Sequence, residues 1–244
     1  MPTSAKVYIS LVSAVGVAAM AYAFADPPWT HDIYRFGAYL LLSLLAATLK
    51  LRLPGLTSTM SIGFVFVLLG VSELTLPEAM LIAALGALVQ CLWRAKPRPS
   101  FVQVLFGVSA VAASLMLAYQ AAHFVRTQWH SDSIPIPLAV ATCLYFTANS
   151  LLVSGVLSLV KQQPLRTVWQ QCYLFAFPYY LLGGTVVGMM TASGRDLGWQ
   201  PPLLLLPVMA LAYLFYRIYL GRMTMAAATL TSATPLHTVK TRSA

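Results

Sequence analysis

Residues 94–124 read RAKPRPSFVQVLFGVSAVAASLMLAYQAAHF, a basic cluster followed by a long apolar run. The run from Phe101 to Phe124 contains no Asp, Glu, Lys or Arg, and it exceeds the roughly 20 residues that a helix needs to cross a bilayer. Lys and Arg are retained on the cytoplasmic side of membrane proteins. The segment therefore predicts a transmembrane helix that begins at the cytoplasmic surface.

The composition extends this prediction to nearly the whole chain. Hydrophobic residues make up 59% of the sequence and charged residues 9%, against about 25% charged in ordinary soluble domains. The apolar runs are much longer than the alternating strands of about 10 residues that build a membrane β-barrel. At roughly 20 residues per crossing plus connections, 244 residues suit about eight helices. We predict an all-α, polytopic transmembrane helical bundle.

Eight apolar runs mark the predicted spans. They are Val7–Ala25, Phe36–Leu49, Met60–Leu74, Ala79–Trp93, Phe101–Phe124, Pro137–Val160, Cys172–Met190 and Leu203–Leu220. The end of the first run, Ala23-Phe24-Ala25, resembles a signal-peptidase site, but the run is long enough to span and we expect it to be retained. We predict a short amphipathic helix on the inner surface within residues 161–171.

The charges between these runs alternate in sign. All six acidic residues fall in the odd-numbered gaps, whereas twelve of the fifteen basic residues fall at the termini and in the even-numbered gaps. The three exceptions are Arg35, Arg126 and Arg195. The positive-inside rule then places both termini in the cytoplasm. Runs 60–74 and 79–93 are short, so a re-entrant hairpin with six full spans fits the same charges.

The domain organisation follows from these runs. Residues 1–220 are predicted to form one integral membrane domain. Residues 221–244 are rich in Thr, Ser and Ala and are predicted to form a disordered cytoplasmic tail. The basic residues are dispersed beside apolar runs, which favours contact with the lipid bilayer over nucleic-acid binding.

Two acidic residues near a predicted membrane surface are candidates for ligand binding. Glu73 lies at the outer end of the third run, and Glu78 follows across a tight connection at Pro77. They are either solvated or interfacial loop acids, or an outward-facing pair that binds a cation or a basic ligand.

Polar and aromatic residues inside two later spans are the other candidates. Asn149 lies in the middle of the sixth span beside Tyr145, and an amide in hydrocarbon must face other helices or a cavity. Asn149 therefore either joins helices or contacts a ligand. In the seventh span, Tyr179 and Tyr180 follow Pro178 and precede glycines, so they either line an aromatic pocket beside a helix break or pack in the core.

The sequence contains no familiar catalytic or metal-binding motif. The patterns HExxH, GxSxG, the P-loop and GxGxxG before a helix do not occur. The histidines have no metal-ligand spacing. We therefore predict a protein without catalytic residues, cofactor or metal site.

Several stretches together resemble the integral-membrane sensor regions of the MASE type (membrane-associated sensor), over about residues 36–220. These are residues 50–55, 57–61, 70–74, 76–78, 90–94, 145–149, 169–173 and 177–180. Such regions precede HD-GYP or GGDEF output domains in bacterial signalling proteins. The resemblance implies a sensor of a signal in or near the bacterial inner membrane, which passes it to enzymes of cyclic-dinucleotide metabolism.

We expect this chain to depart from the family in having no output domain after the membrane region. The resemblance therefore implies a cytoplasmic signalling enzyme as a separate partner and an unidentified small ligand, without catalysis by the chain itself. A small-solute transporter or a vitamin-uptake substrate-binding subunit is the alternative, because proteins of that class are similar in size and also lack soluble domains.

Overall fold

The computed structural model describes residues 2–25, 32–52, 59–95, 98–129, 135–172 and 177–197. Within them the chain is helical except for one short hairpin, which confirms the predicted helical class. The helices are α1 Thr3–Ala25, α2 Ile33–Thr48, α3 Phe64–Glu73, α4 Leu76–Leu92, α5 Phe101–Trp129, α6 Pro135–Lys161, α7 Leu165–Cys172 and α8 Phe177–Leu197. The predicted eighth span and the tail lie outside the described residues.

Three of these helices are long and apolar enough to cross a membrane, judged by length and composition. They are Thr3–Ala25, Phe101–Gln128 and Pro135–Lys161. The helices α2, α3 and α4 are apolar but shorter. The chain is therefore a membrane-associated helical protein, while the number of crossings and the side on which the termini lie stay predictions.

A two-stranded antiparallel hairpin separates α2 from α3. Strand β1, Lys50–Arg52, pairs with β2, Thr59–Ser61, so that Leu51 lies opposite Met60. The predicted span Met60–Leu74 is wrong at its start, because β2 occupies residues 59–61 and the helix begins at Phe64.

Helix α3 is short and lies at the centre of the structure. Its 10 residues rise only about 15 Å, half of a hydrocarbon core of roughly 30 Å. Every residue from Phe64 to Val71 is buried, which means that neighbouring helices surround α3 on all sides. A helix that is apolar all round is expected in such a position, because none of its faces contacts water.

Helix α4 begins directly after α3 with strong local signals. Thr75 is the N-cap and Pro77 occupies the first turn, where a missing N–H is tolerated. The Glu78 carboxylate accepts hydrogen bonds from the Thr75 backbone N–H at 3.0 Å and from its hydroxyl at 2.8 Å. This capping interaction satisfies backbone N–H groups at the start of α4.

The short amphipathic helix predicted within residues 161–171 is present as α7, residues 165–172, while its position on an inner membrane surface stays a prediction. The start predicted for the seventh span at Cys172 is wrong, because α8 begins at Phe177. Pro178 is the second residue of α8 and not a break within a span, which agrees with the preference of proline for helix starts. Both α7 and α8 pack against α6.

Helix α1 packs along α5. A second, smaller core cluster joins Ile9 and Val12 of α1 to Phe106 and Ala110 of α5. The Tyr8 hydroxyl also donates to the Leu152 carbonyl of α6 at 3.2 Å.

Candidate functional site

Glu73 ends α3 and is held by two side chains of α2. Its side chain is 8% exposed and forms an ion pair with the Arg35 guanidinium. The Tyr39 hydroxyl donates to the same carboxylate oxygen, Oε2, at 2.6 Å. Both donors come from successive turns of one helix face, so the fold brings two strong donors to one acid. We call Arg35, Tyr39 and Glu73 the outer cluster.

Arg35 is positioned by its own helix. Asp32 is the N-cap of α2, and its Oδ1 accepts from the Arg35 backbone N–H at 3.0 Å. The Arg35 Nε donates to the Tyr39 hydroxyl at 3.3 Å, and the guanidinium carbon lies 5.7 Å from the centre of the Tyr39 ring. With its side chain 34% exposed, Arg35 connects a buried acid to the surface.

The turn that follows Glu73 is also held from α5 and α8. The Tyr119 hydroxyl donates to the Leu74 carbonyl at 3.3 Å, and Arg126 Nη2 donates to the Ser72 carbonyl at 3.3 Å. The Ser72 hydroxyl lies 3.3 Å from the Thr191 hydroxyl of α8. Side chains of α2, α5 and α8 therefore converge on one turn.

Glu78 lies in this turn region as well and is only 1% exposed. The interpretation of Glu73 and Glu78 as solvated loop acids is wrong, because both carboxylates are buried and hydrogen-bonded. Glu78 has a capping role at α4. Glu73 is bound by a partly exposed cation and is the better candidate for ligand exchange.

The outer cluster has the chemistry of a site that can exchange partners. An ion pair removed from water loses hydration energy, so its net contribution to stability is small while its geometry is specific. A cation or a basic ligand that reaches Glu73 can replace Arg35, and the Tyr39 hydroxyl can keep its bond to the acid. Such an exchange breaks the ion pair between Arg35 of α2 and the α3–α4 turn and replaces it with a bond between Glu73 and the ligand.

The predicted tyrosines gather elsewhere, around the start of α3. The Phe64 ring lies 4.2 Å from the Tyr180 ring and 5.2 Å from the Tyr179 ring, measured between centroids. Tyr145 and Phe146 of α6 lie 6.3 Å and 5.0 Å from Tyr180. We call these five residues the aromatic cluster; their contacts favour the packing interpretation of Tyr179 and Tyr180.

The five predicted site residues do not form a single site. Glu73 is nine residues from Phe64 along α3, or about 14 Å. Asn149 is half-buried one turn beyond Tyr145 on α6, next to the aromatic cluster and remote from Glu73. Ligand binding by Asn149 and the three tyrosines stays a prediction.

Sequence reasoning did not select Arg35, Tyr39 or Arg126 as site residues. The signal was present for the two arginines, because Arg35 and Arg126 are two of the three basic residues on the acidic side of the charge pattern. In the structure both bind the α3–α4 turn. Tyr39 gave no signal, since a tyrosine in an apolar run is common.

Replacing Tyr39 with Phe is expected to lower the free energy of unfolding by about 2 kcal/mol, because it removes a hydrogen bond to a buried carboxylate. Tyr39 is 2% exposed. Chemical unfolding in mixed micelles measures the change. Tyr34→Phe is the matched control, since Tyr34 is 89% exposed and its replacement should have no effect. Equal stability of the two variants would contradict the role assigned to the Tyr39 hydroxyl.

Comparison with known families gives one match. The family model MASE9, which describes a MASE-type domain, matches residues 34–190. The matched region contains the outer cluster and the aromatic cluster, while α1 precedes it. No curated protein and no solved structure matches the chain.

Proposed function

The chain belongs to the MASE9 family, and from this premise we propose that it is a multi-pass sensor domain of the bacterial inner membrane. The family match over residues 34–190 is the observation that carries the proposal. The chain detects a signal at its outer surface and passes it to a cytoplasmic signalling enzyme. It binds a small ligand and catalyses no reaction itself.

The outer cluster is the proposed input. Its ion pair is buried on the Glu73 side and accessible on the Arg35 side, so a ligand can approach from one direction. The charge pattern supports an outward position, since every acidic residue lies on the side opposite the main basic groups. A ligand that binds one state of the cluster more tightly shifts the population towards that state.

Helix α3 is the proposed connection between input and output. It is buried on all sides and rigid over about 15 Å, and it ends in the outer cluster at Glu73 and in the aromatic cluster at Phe64. A shift of the turn therefore moves Phe64 against Tyr180 and Gly183 of α8. The Phe64 ring packs so closely on Gly183 that a Cβ added at residue 183 would overlap it. A displaced Phe64 ring therefore pushes on α8 at this position.

The proposed output is α7. Its Trp169 indole N–H donates to the Ser150 hydroxyl at 3.0 Å, and Ser150 lies one turn beyond Phe146 of the aromatic cluster on α6. Residues 165–167 at the start of α7 are exposed, and Arg166 is one of them. A partner enzyme at the inner membrane surface can bind α7 and respond to a change in its position.

The test compares cyclic-di-GMP levels in the bacterium that encodes the chain. Deleting the gene and restoring it with Trp169→Phe is expected to give the deletion phenotype, because the variant loses the bond to Ser150 and keeps the aromatic ring. Restoring it with Gly37→Ala is expected to give the wild-type level, because nothing lies near Gly37. Membrane levels of each variant are measured by immunoblot.

Two results would contradict the sensor proposal. One is an unchanged cyclic-di-GMP level after gene deletion. The other is a stoichiometric vitamin identified by mass spectrometry in the purified protein, together with a co-purifying ATPase pair. The second result would support the uptake class of membrane protein.

A further inference from the structure

The end of α4 carries an open groove that the proposed signalling path does not use. The groove has a volume of about 280 Å³ and is lined by Leu88, Val89, Leu92, Trp93 and Arg94. Leu92 and Trp93 are 55% and 47% exposed, and Arg94 is exposed as well. From this arrangement we propose that the groove binds one anionic phospholipid.

The apolar part of the groove fits an acyl chain. Leu85, Leu88 and Leu92 follow one another at helical spacing on one face of α4, where Leu85 and Leu92 are exposed and Leu88 is half-buried. In a bilayer, such a stripe contacts lipid tails. It ends at Trp93, and tryptophan is enriched at the depth where tails meet headgroups.

The polar part of the groove fits a phosphate. Arg94 has a φ of 47°, a conformation uncommon outside glycine. The guanidinium carbon lies 5.9 Å from the centre of the Trp93 ring, and Arg94 lines the groove. Arg98 follows four residues later and is exposed as well, so a second cation is available close to Arg94 in the sequence. A planar guanidinium binds phosphate through two parallel hydrogen bonds.

Native mass spectrometry of the full chain in detergent tests this proposal. Phosphatidylglycerol is expected to bind about fivefold more tightly than phosphatidylcholine, and Arg94→Gln should remove that preference without changing phosphatidylcholine binding. Arg98→Gln is the second variant, placed outside the helix, and should reduce the preference in the same direction. Arg166→Gln on α7 is the matched control and should leave it unchanged.

Three results would overturn the lipid site. They are equal binding of the two lipids, an equal loss in Arg166→Gln and Arg94→Gln, and displacement of phosphatidylglycerol by excess inorganic phosphate. The second result would indicate general attraction to a basic surface. The third would indicate a site for free anions.

Discussion

Replacing Glu73 with Gln is expected to lower the free energy of unfolding by about 3 kcal/mol, the low end of the range for breaking a buried ion pair. The Glu73 side chain is 8% exposed and accepts from both Arg35 and Tyr39. The amide keeps the shape of the side chain but leaves the guanidinium without a counter-charge. The low end applies because Arg35 is 34% exposed and water compensates part of the loss.

A double-mutant cycle with Arg35→Gln separates the ion pair from other effects of the substitution. If the two residues interact directly, the double variant should be more stable than the sum of the single losses predicts, by more than about 1.5 kcal/mol. Asp32→Asn is the matched acid-to-amide control, because Asp32 is exposed and Asn is an equally good N-cap. A Glu73→Gln variant as stable as Asp32→Asn would contradict the outer cluster.

The positions of most helices could be predicted from the sequence, because apolar runs are a local property. Phe101–Phe124 and Pro137–Val160 lie within α5 and α6. The burial of α3 could not be predicted in this way. Hydropathy does not distinguish a helix that faces lipid from one that faces other helices, and both environments favour the same side chains.

The candidate site was predictable only in part. Glu73 was selected because it comes nearest to the membrane interior, where carboxylates are rare, but its partner is 38 residues away on another helix. Nothing in one sequence pairs residues at that separation. The position of Arg35 against the positive-inside rule was nevertheless a clue. In the structure this cation forms an ion pair with a buried acid.

The tyrosines of the aromatic cluster were predicted as site residues together with Glu73, but they lie apart from it. Tyr179 and Tyr180 were selected because they follow Pro178 and precede glycines, and Tyr145 because it lies beside Asn149. The structure instead places them at the other end of α3, since α8 starts at Phe177 and runs antiparallel to α6. Their distance from Glu73 is a consequence of helix pairing, which composition does not encode.

Replacing Gly16 with Ala is expected to lower the free energy of unfolding by about 3 kcal/mol, at the upper end of the usual cost of overpacking. A Cβ at residue 16 would overlap the Cα, Cβ and carbonyl oxygen of Ser109 on α5. Ser109 is fully buried, so its backbone has no free space into which to move. Helix α1 must therefore tilt or slide, which separates the contacts of Val12 with Phe106 and Ala110.

Gly37→Ala is the matched control, because residue 37 is also within a helix but has no atom within 4 Å of the added Cβ. It should gain up to about 1 kcal/mol, since alanine is the better helix former. Thermal unfolding of the two variants measures the difference. Equal stability would mean that α1 does not pack on α5 in this register. Cleavage after Ala25 would give the same result, because the mature protein would then lack Gly16. N-terminal sequencing distinguishes a cleaved chain from a shifted α1.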